Sequence, residues 1–345
     1  MAITISTIIK GETEMNILMC SVGRRGELLK DFRSSMSEES KIIATDLSPY
    51  APAIYFADKQ YLVPEINDPG YIDTILNICK KEQIDVVTTF IDPEIEILAK
   101  NRGRFAELGV EVLAPYEETA ALCFDKYKMF KKLASCGIPT VMTWGTIEEF
   151  DVARTAGKVD FPVFVKPRTG SGSVGARKVF SYDVLSESMK ENPSLIIQEF
   201  MDCEDLDADV YIDTITHEAV SAFLKKKIET RIGGASKTIS FKDEKLFAFI
   251  SKIVRTLKFN GPIDMDFFYR EGKYYLSEIN PRFGGAYLHA YGAGVDFIKL
   301  IEKNLNGEVN IPNFGNYEEG VVMMMYDSVV IKKSRDLAKA SVYES

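Results

Sequence analysis

Four residues in two neighbouring stretches have the right types and spacing for metal and phosphate chemistry. They are Asp266 and, in the run Tyr274 to Arg282 (YYLSEINPR), Glu278, Asn280 and Arg282. If that run is a β-strand, alternate side chains share a face, so Glu278, Asn280 and Arg282 point the same way. An acid, an amide and a base aligned like this form a surface for a hard cation and a phosphate. Strand interiors are depleted in Asp and Asn, so a purely structural strand has little use for the set; a solvated edge-strand face is the competing explanation. Asp266 joins the set only in one register. With Glu271-Gly272-Lys273 as a three-residue loop, Arg270 pairs with Tyr274 and Asp266 falls opposite Glu278, whereas a two-residue loop would put the two carboxylates on opposite faces.

A second group precedes it. The apolar run Phe161 to Val165 ends in Lys166 and is followed by Arg168-Thr-Gly170-Ser171-Gly172-Ser173-Val-Gly175 and a further apolar strand. A Walker loop needs G-x-x-x-x-G-K-[ST] opening a helix, which is absent here. The spacing predicts a hairpin flap whose backbone N–H groups fold over phosphates, with Lys166 as a point charge. Further candidates are the acidic Asp205, Asp207 and Asp209, Arg24 and Arg25 in the turn after the first strand, Asp46, and Asp92 with Glu94 at a strand end, where the last two also suit an N-cap and first-turn acid.

The elements that must position these groups are legible from periodicity. Asn16–Cys20, a glycine turn and a helical pattern open a doubly wound α/β unit, followed by strands at Lys41–Asp46, 85–90 and 110–114 and helices at 72–81 and 94–108. Gly23 and Gly26 give only G-x-x-G, which argues against a nicotinamide site. Strands near Leu195–Met201, Val210, 219–228, 263–269 and 274–280, with a helix over 242–257, complete the pattern. The expected organisation is a 1–14 extension or cloning remnant (or an added strand), a 15–115 parallel-sheet domain, a 116–195 central lobe, a 196–330 lobe with the metal site, and a 331–345 tail. The fold class is thus α/β and α+β.

The 345 residues imply more than one domain. A hydrophobic fraction of 46% is that of a globular protein, and a net charge of −9 speaks against a duplex nucleic-acid binder. No apolar run reaches membrane-spanning length. Five cysteines, odd in number and without C-x-x-C, read as reduced and buried in a cytoplasmic protein. With only His217 and His289, an ordinary zinc site is not expected, and His289 reads as structural.

Taken together, Lys126, Lys166 with its glycine flap, Gln198-Glu199-Phe200-Met201, Asp266 and Glu278-Ile-Asn280-Pro-Arg282 resemble the ATP-grasp superfamily in order and spacing. The units of carbamoyl phosphate synthetase, biotin carboxylase and amino-acid ligases of the D-alanine–D-alanine ligase type are among the relatives this resemblance suggests. The resemblance implies an α/β domain before a two-lobed grasp. It further implies that Lys126 and Lys166 contact ATP phosphates, as does the flap at Gly170, Ser171, Gly172 and Ser173. By the same resemblance Gln198, Glu199, Phe200 and Met201 lie at the ATP site, Gln198 and Met201 meeting the adenine edge through their backbone, and Asp207 takes the ribose, with Asp205 or Asp209 as the alternative acceptor. Asp266, Glu278 and Asn280 would hold Mg2+ or Mn2+, with Arg231 and Arg282 steadying the transferred phosphoryl group. Arg24, Arg25, Asp46 and Asp92 are left as substrate contacts.

The implied reaction activates a carboxylate as an acyl phosphate and joins it to an amine. The expected partners are therefore small-molecule carboxylates and amines, with a homodimer left open. A single carbamoyl phosphate synthase-like unit acting on bicarbonate is one alternative. A nucleotide-binding regulatory module without turnover is another.

Overall fold

The computed structural model describes residues 14–170, 175–231 and 234–339. The first sheet is parallel: β1 (Asn16–Cys20), β2 (Lys41–Asp46), β3 (Lys59–Leu62), β4 (Val86–Thr89) and β5 (Glu111–Val112), in the order β3-β2-β1-β4-β5. Its central strands are buried on both faces, as parallel sheets require. The order reverses between β1 and β4, so the loops leaving these two strands open a crevice at their C-terminal ends. Arg25 leaves β1 there and Asp92 leaves β4.

The second sheet is small and antiparallel: β6 (Thr143–Trp144), β7 (Val163–Pro167), β8 (Arg177–Val179) and β9 (Leu195–Glu199), in the order β6-β9-β7-β8. Trp144, Phe150, Val165, Leu185 and Ile197 form its core. Strand β9 thus pairs with β7, so this sheet runs past the expected lobe boundary at 195.

The third sheet is the largest: β10 (Glu204–Ile212), β11 (Ala219–Arg231), β12 (Gly234–Phe241), β13 (Gly261–Arg270), β14 (Lys273–Asn280) and β15 (Val322–Met324), in the order β14-β13-β10-β11-β12-β15. Leu206, Ala208, Val210, Met265 and Phe267 share one core with Leu246, Ile250 and Ile253 of the amphipathic helix Glu244–Thr256. Alternation then turns Asp205, Asp207, Asp209, Asp264 and Asp266 to the other face.

Residues 139–143 tie the two antiparallel sheets together. Leu276 of β14 donates to Pro139 O (3.0 Å) and accepts from Val141 N (3.2 Å), while Thr143 pairs with Gln198 of β9. A cleft opens between the sheets on either side of this tie, lined by Lys126, Thr140, Gln198, Leu276 and Glu278.

Several sequence expectations change in detail. The helix expected at 94–108 is two, Asp92–Lys100 and Arg102–Ala106, broken at Asn101, whose amide donates back to Ile97 O (2.9 Å). All five cysteines are free, but Cys136 is exposed and Cys203 half-buried. Among the described residues no helix is long and apolar enough to cross a membrane. The extension over 1–13 and the flap residues Ser171, Gly172 and Ser173 lie outside the described residues.

Candidate active site

The hairpin between β13 and β14 turns on two residues, Glu271 and Gly272, and Arg270 pairs with Lys273. Both turn residues have positive φ (52° and 79°), as the tight primed turns of hairpins demand. A two-residue turn alone would part the carboxylates. A β-bulge at Ser277 adds one residue back: Phe267 faces Leu276, then Asp266 faces Glu278 and Asp264 faces Asn280. The expected pairing is present, but the bulge produces it and not a three-residue loop.

The acidic rows run on across the sheet. Asp266 lies opposite Asp207, and Asp207 opposite Lys225; Asp264 lies opposite Asp209. Carboxylates stacked this way repel one another unless cations separate them. The sheet supplies two. Lys225, fully buried, pairs with Asp209 Oδ2 and stands 3.3 Å from Asp207 Oδ1. Lys227 pairs with Asp266 and lies 2.9 Å from Asp205. Burial nevertheless pushes the Asp207 and Asp209 carboxyls up to about 6, and burial with neighbouring carboxylates raises Asp264 well above its ordinary range. Asp207, expected at the ribose, is 5% exposed and sits beside Lys225 within the acidic row, its Oδ1 without a hydrogen-bond partner.

From the small lobe two further ammonium groups reach Glu278, Lys126 Nζ at 3.4 Å and Lys166 Nζ at 3.8 Å. Lys126 opens the helix Lys126–Ser135, and its Nζ donates to Gly170 O at 2.5 Å, at the root of the flap. Asp125 caps that helix through Lys128 N (3.0 Å) and holds Arg168 by a two-pronged pair (2.8 and 2.7 Å), which fixes the base of the loop. Burial lowers the pKa of Lys166, against the pull of Glu278. The side chain of Gln198 donates to Thr143 (2.9 Å), that of Glu199 accepts from Arg270 (2.6 Å), Phe200 lies under Lys178 (3.5 Å), and Met201 is buried.

The N-terminal domain completes the cleft. Asp92 accepts from Arg282 Nε (2.8 Å), and Arg282 also stands 3.8 Å from Asp264. Arg25 lies close by, over the Phe90 ring (5.8 Å). Glu94 is spent structurally, accepting from Tyr71 and from Thr89 Oγ1 (2.5 Å). Asp46 holds the backbone of its own loops, accepting from Gly23 N (2.9 Å) and Ser48 N (3.0 Å). Arg24 and Arg231 do not reach Arg282; both face Asp327 at the surface, at 4.0 and 3.6 Å. His289 is structural, bridging Thr238 Oγ1 (2.7 Å) and Val321 O (3.1 Å).

The donor chemistry suits a divalent hard cation. Asp266, Glu278 and Asn280 offer oxygen, the first two face each other in register, and lysine ammonium groups now stand at both carboxylates. Sequence reasoning missed Lys225, Lys227 and Asp264. The available signal was the double alternation of Asp205, Asp207, Asp209 with Lys225, Lys227, but only strand pairing shows which acid meets which base.

Residues 17–113 match the family described as PylC-like, N-terminal domain, and residues 123–286 match the ATP-grasp domain. Just under half of the chain thus matches an ATP-grasp domain, behind a PylC-like N-terminal domain. A D-alanine–D-alanine ligase of Lactococcus lactis is 23% identical over 317 residues, covering 82% of this chain and 83% of that protein. A pyruvate carboxylase subunit of Methanothermobacter thermautotrophicus is 26% identical over 195 residues, covering 52% of this chain; the chain spans only 38% of that relative. Among solved structures, an N5-carboxyaminoimidazole synthetase of Staphylococcus aureus in complex with ADP superimposes with a TM-score of 0.72 at 20% identity, over 91% of this chain and 83% of that one. The ATP-grasp family assignment, the mixed fold and the class of ATP-dependent enzyme expected from the sequence are thereby borne out.

Proposed function

We propose that this ATP-grasp protein is a ligase that activates a small-molecule carboxylate as an acyl phosphate and passes the acyl group to an amine. One observation carries the reading: Lys126 and Lys166 of the small lobe converge on Glu278 of the large one, opposite Asp266, across the cleft between the two antiparallel sheets. Two ammonium groups facing a carboxylate pair across a cleft suit a polyphosphate and its counter-ion. When bound at Asp266, Glu278 and Asn280, magnesium or manganese supplies charge neutralisation at the phosphate oxygens.

The chain's own groups do the rest by position and charge. A substrate carboxylate oxygen attacks the γ-phosphorus in line, the bond to the bridging oxygen breaks, and ADP leaves. Lys126 and Lys166 neutralise the phosphate oxygens, and Arg282, held by Asp92, orients the acyl phosphate. The amine nitrogen then adds to the carbonyl carbon, inorganic phosphate departs, and the amine loses a proton to solvent. No protein nucleophile is required.

The test is ADP release from MgATP with single L-amino acids, pairs of them, and bicarbonate with ammonia. Acid- and amine-dependent ADP with amide product is expected. Carbamoyl phosphate from bicarbonate and ammonia would favour the synthetase-like alternative, and nucleotide binding without ADP under any condition would favour a regulatory module.

A further inference from the structure

The cations facing the cleft are matched to carboxylates, with one exception. Lys126 and Lys166 stand within 4.0 Å of Glu278, Lys225 of Asp207 and Asp209, Lys227 of Asp205 and Asp266, and Arg282 of Asp92 and Asp264. Arg25 has no carboxylate at that distance among the described residues, and its Nη1 is sealed from solvent without a hydrogen-bond partner. A guanidinium has five N–H donors and stays charged, so a buried, unpaired N–H is costly unless a ligand completes it.

The surroundings fit a ligand anion. Arg25 leaves β1 at the point where strand order reverses, the usual ligand crevice of an open α/β sheet. Its neighbours are Arg282, Asp264 and Asp92, and burial together with Arg282 lowers its pKa to about 10, which leaves it cationic at neutral pH. Arg282, assigned above to the acyl phosphate, is held in place by Asp92 (2.8 Å) and Phe283 O (3.1 Å). The phosphorylated carboxylate must lie in line with ATP, where Lys126 and Lys166 face Glu278. Arg25 comes from a different domain, and the charged groups around it are the Asp92–Arg282 pair and Asp264 rather than the two lysines.

We propose that Arg25 binds a second carboxylate of the acid substrate, so that the enzyme selects dicarboxylic acids, including acidic amino acids, over acids with a single carboxylate. The inference rests on the ligase reading above. It assigns Arg25 to specificity and not to phosphoryl transfer.

The experiment uses hydroxylamine as the amine, so that any acyl phosphate is trapped as a hydroxamate whatever the natural amine. Wild type, Arg25→Gln and Arg25→Lys are compared on succinate, glutarate and L-glutamate, and on their monoamides succinamate, glutaramate and L-glutamine. The expected result is a wild-type kcat/KM at least about tenfold higher for the diacids, the worth of one charged hydrogen-bonded contact. Arg25→Gln should erase that preference through KM, Arg25→Lys should restore part of it, and both variants should keep the wild-type Tm. Equal use of monoamides by wild type, or a diacid preference surviving in Arg25→Gln, would overturn this inference and leave the ligase reading standing. Hydroxamate from none of the six acids would also overturn this inference, whereas the ligase reading stands or falls on the wider ADP-release panel.

Discussion

Asp266 and Glu278 stand directly across from each other on β13 and β14 because Ser277 bulges out of β14 between Leu276 and Glu278. The bulge cancels the one-residue offset of the two-residue turn, so the facing of these two carboxylates depends on one unpaired residue. Exchanging the pair, Ser277→Glu with Glu278→Ser, moves the acid onto the bulged position. Turnover should fall at least about a hundredfold, the usual loss when a charge-stabilising group is removed. Deleting Ser277 instead leaves Glu278 opposite Asp266 and should retain activity within about tenfold. ATP turnover in the two variants, with circular dichroism to confirm folding, separates the register from the residue.

Gly284 packs its Cα over the acidic row. A Cβ there would lie 2.7 Å from Asp209 Oδ1 and 2.8 Å from Asp264 Oδ1, and both acids are anchored in strands of the large sheet. Gly284→Ala should destabilise the protein by about 1–3 kcal/mol as an overpacked site. Gly292→Ala, where a Cβ meets nothing within 4 Å, is the control and should be close to neutral. Thermal unfolding of the two variants makes the comparison.

Lys225 is fully buried between Asp207 and Asp209. Lys225→Met keeps the volume but strands two carboxylates, and breaking a buried pair from one side costs about 3–5 kcal/mol. Adding Asp209→Asn removes one of the stranded charges, so the double variant should recover part of the loss. A urea-unfolding double-mutant cycle measures the coupling.

His289 is buried between Thr238 and Val321 O, and burial, reinforced by Lys225, lowers its pKa to about 4. A histidine whose folded pKa lies below its unfolded value of about 6.5 binds fewer protons when folded. Its contribution is therefore complete above a pH of about 6.5 and lost as pH falls toward 4. The difference in Tm between wild type and His289→Gln should shrink as pH is lowered from about 7 to about 4.5. A difference independent of pH would show that the imidazole titrates alike in the folded and unfolded chains.

Much of the site could be read from local pattern. Lys166 at the end of a buried run, the glycine stretch after it, and the alternation of Glu278, Asn280 and Arg282 each follow from which residues tolerate a strand, a turn or a buried position. The surroundings of Asp207 are not legible in this way. Alternation shows that Asp205, Asp207 and Asp209 share a face, but not that β13 with its own two acids lies on one side of them and β11 with Lys225 and Lys227 on the other. The place of Arg231 is hidden for the same reason: its strand sets it beside Asp327 at the surface.

The sequence by itself determined the class of fold, the likeness to an ATP-grasp domain and the identity of the chemically able side chains, because periodicity, turn chemistry and motif order are local. The tertiary structure decided which of those side chains meet. Asp266 and Glu278 face each other through a bulge that no periodicity announces, and Asp92 and Arg282 pair across 190 positions of chain. Pairings of that kind depend on strand register and on the packing of one sheet against another. Those are set by the whole core at once, so no single stretch of the chain carries them.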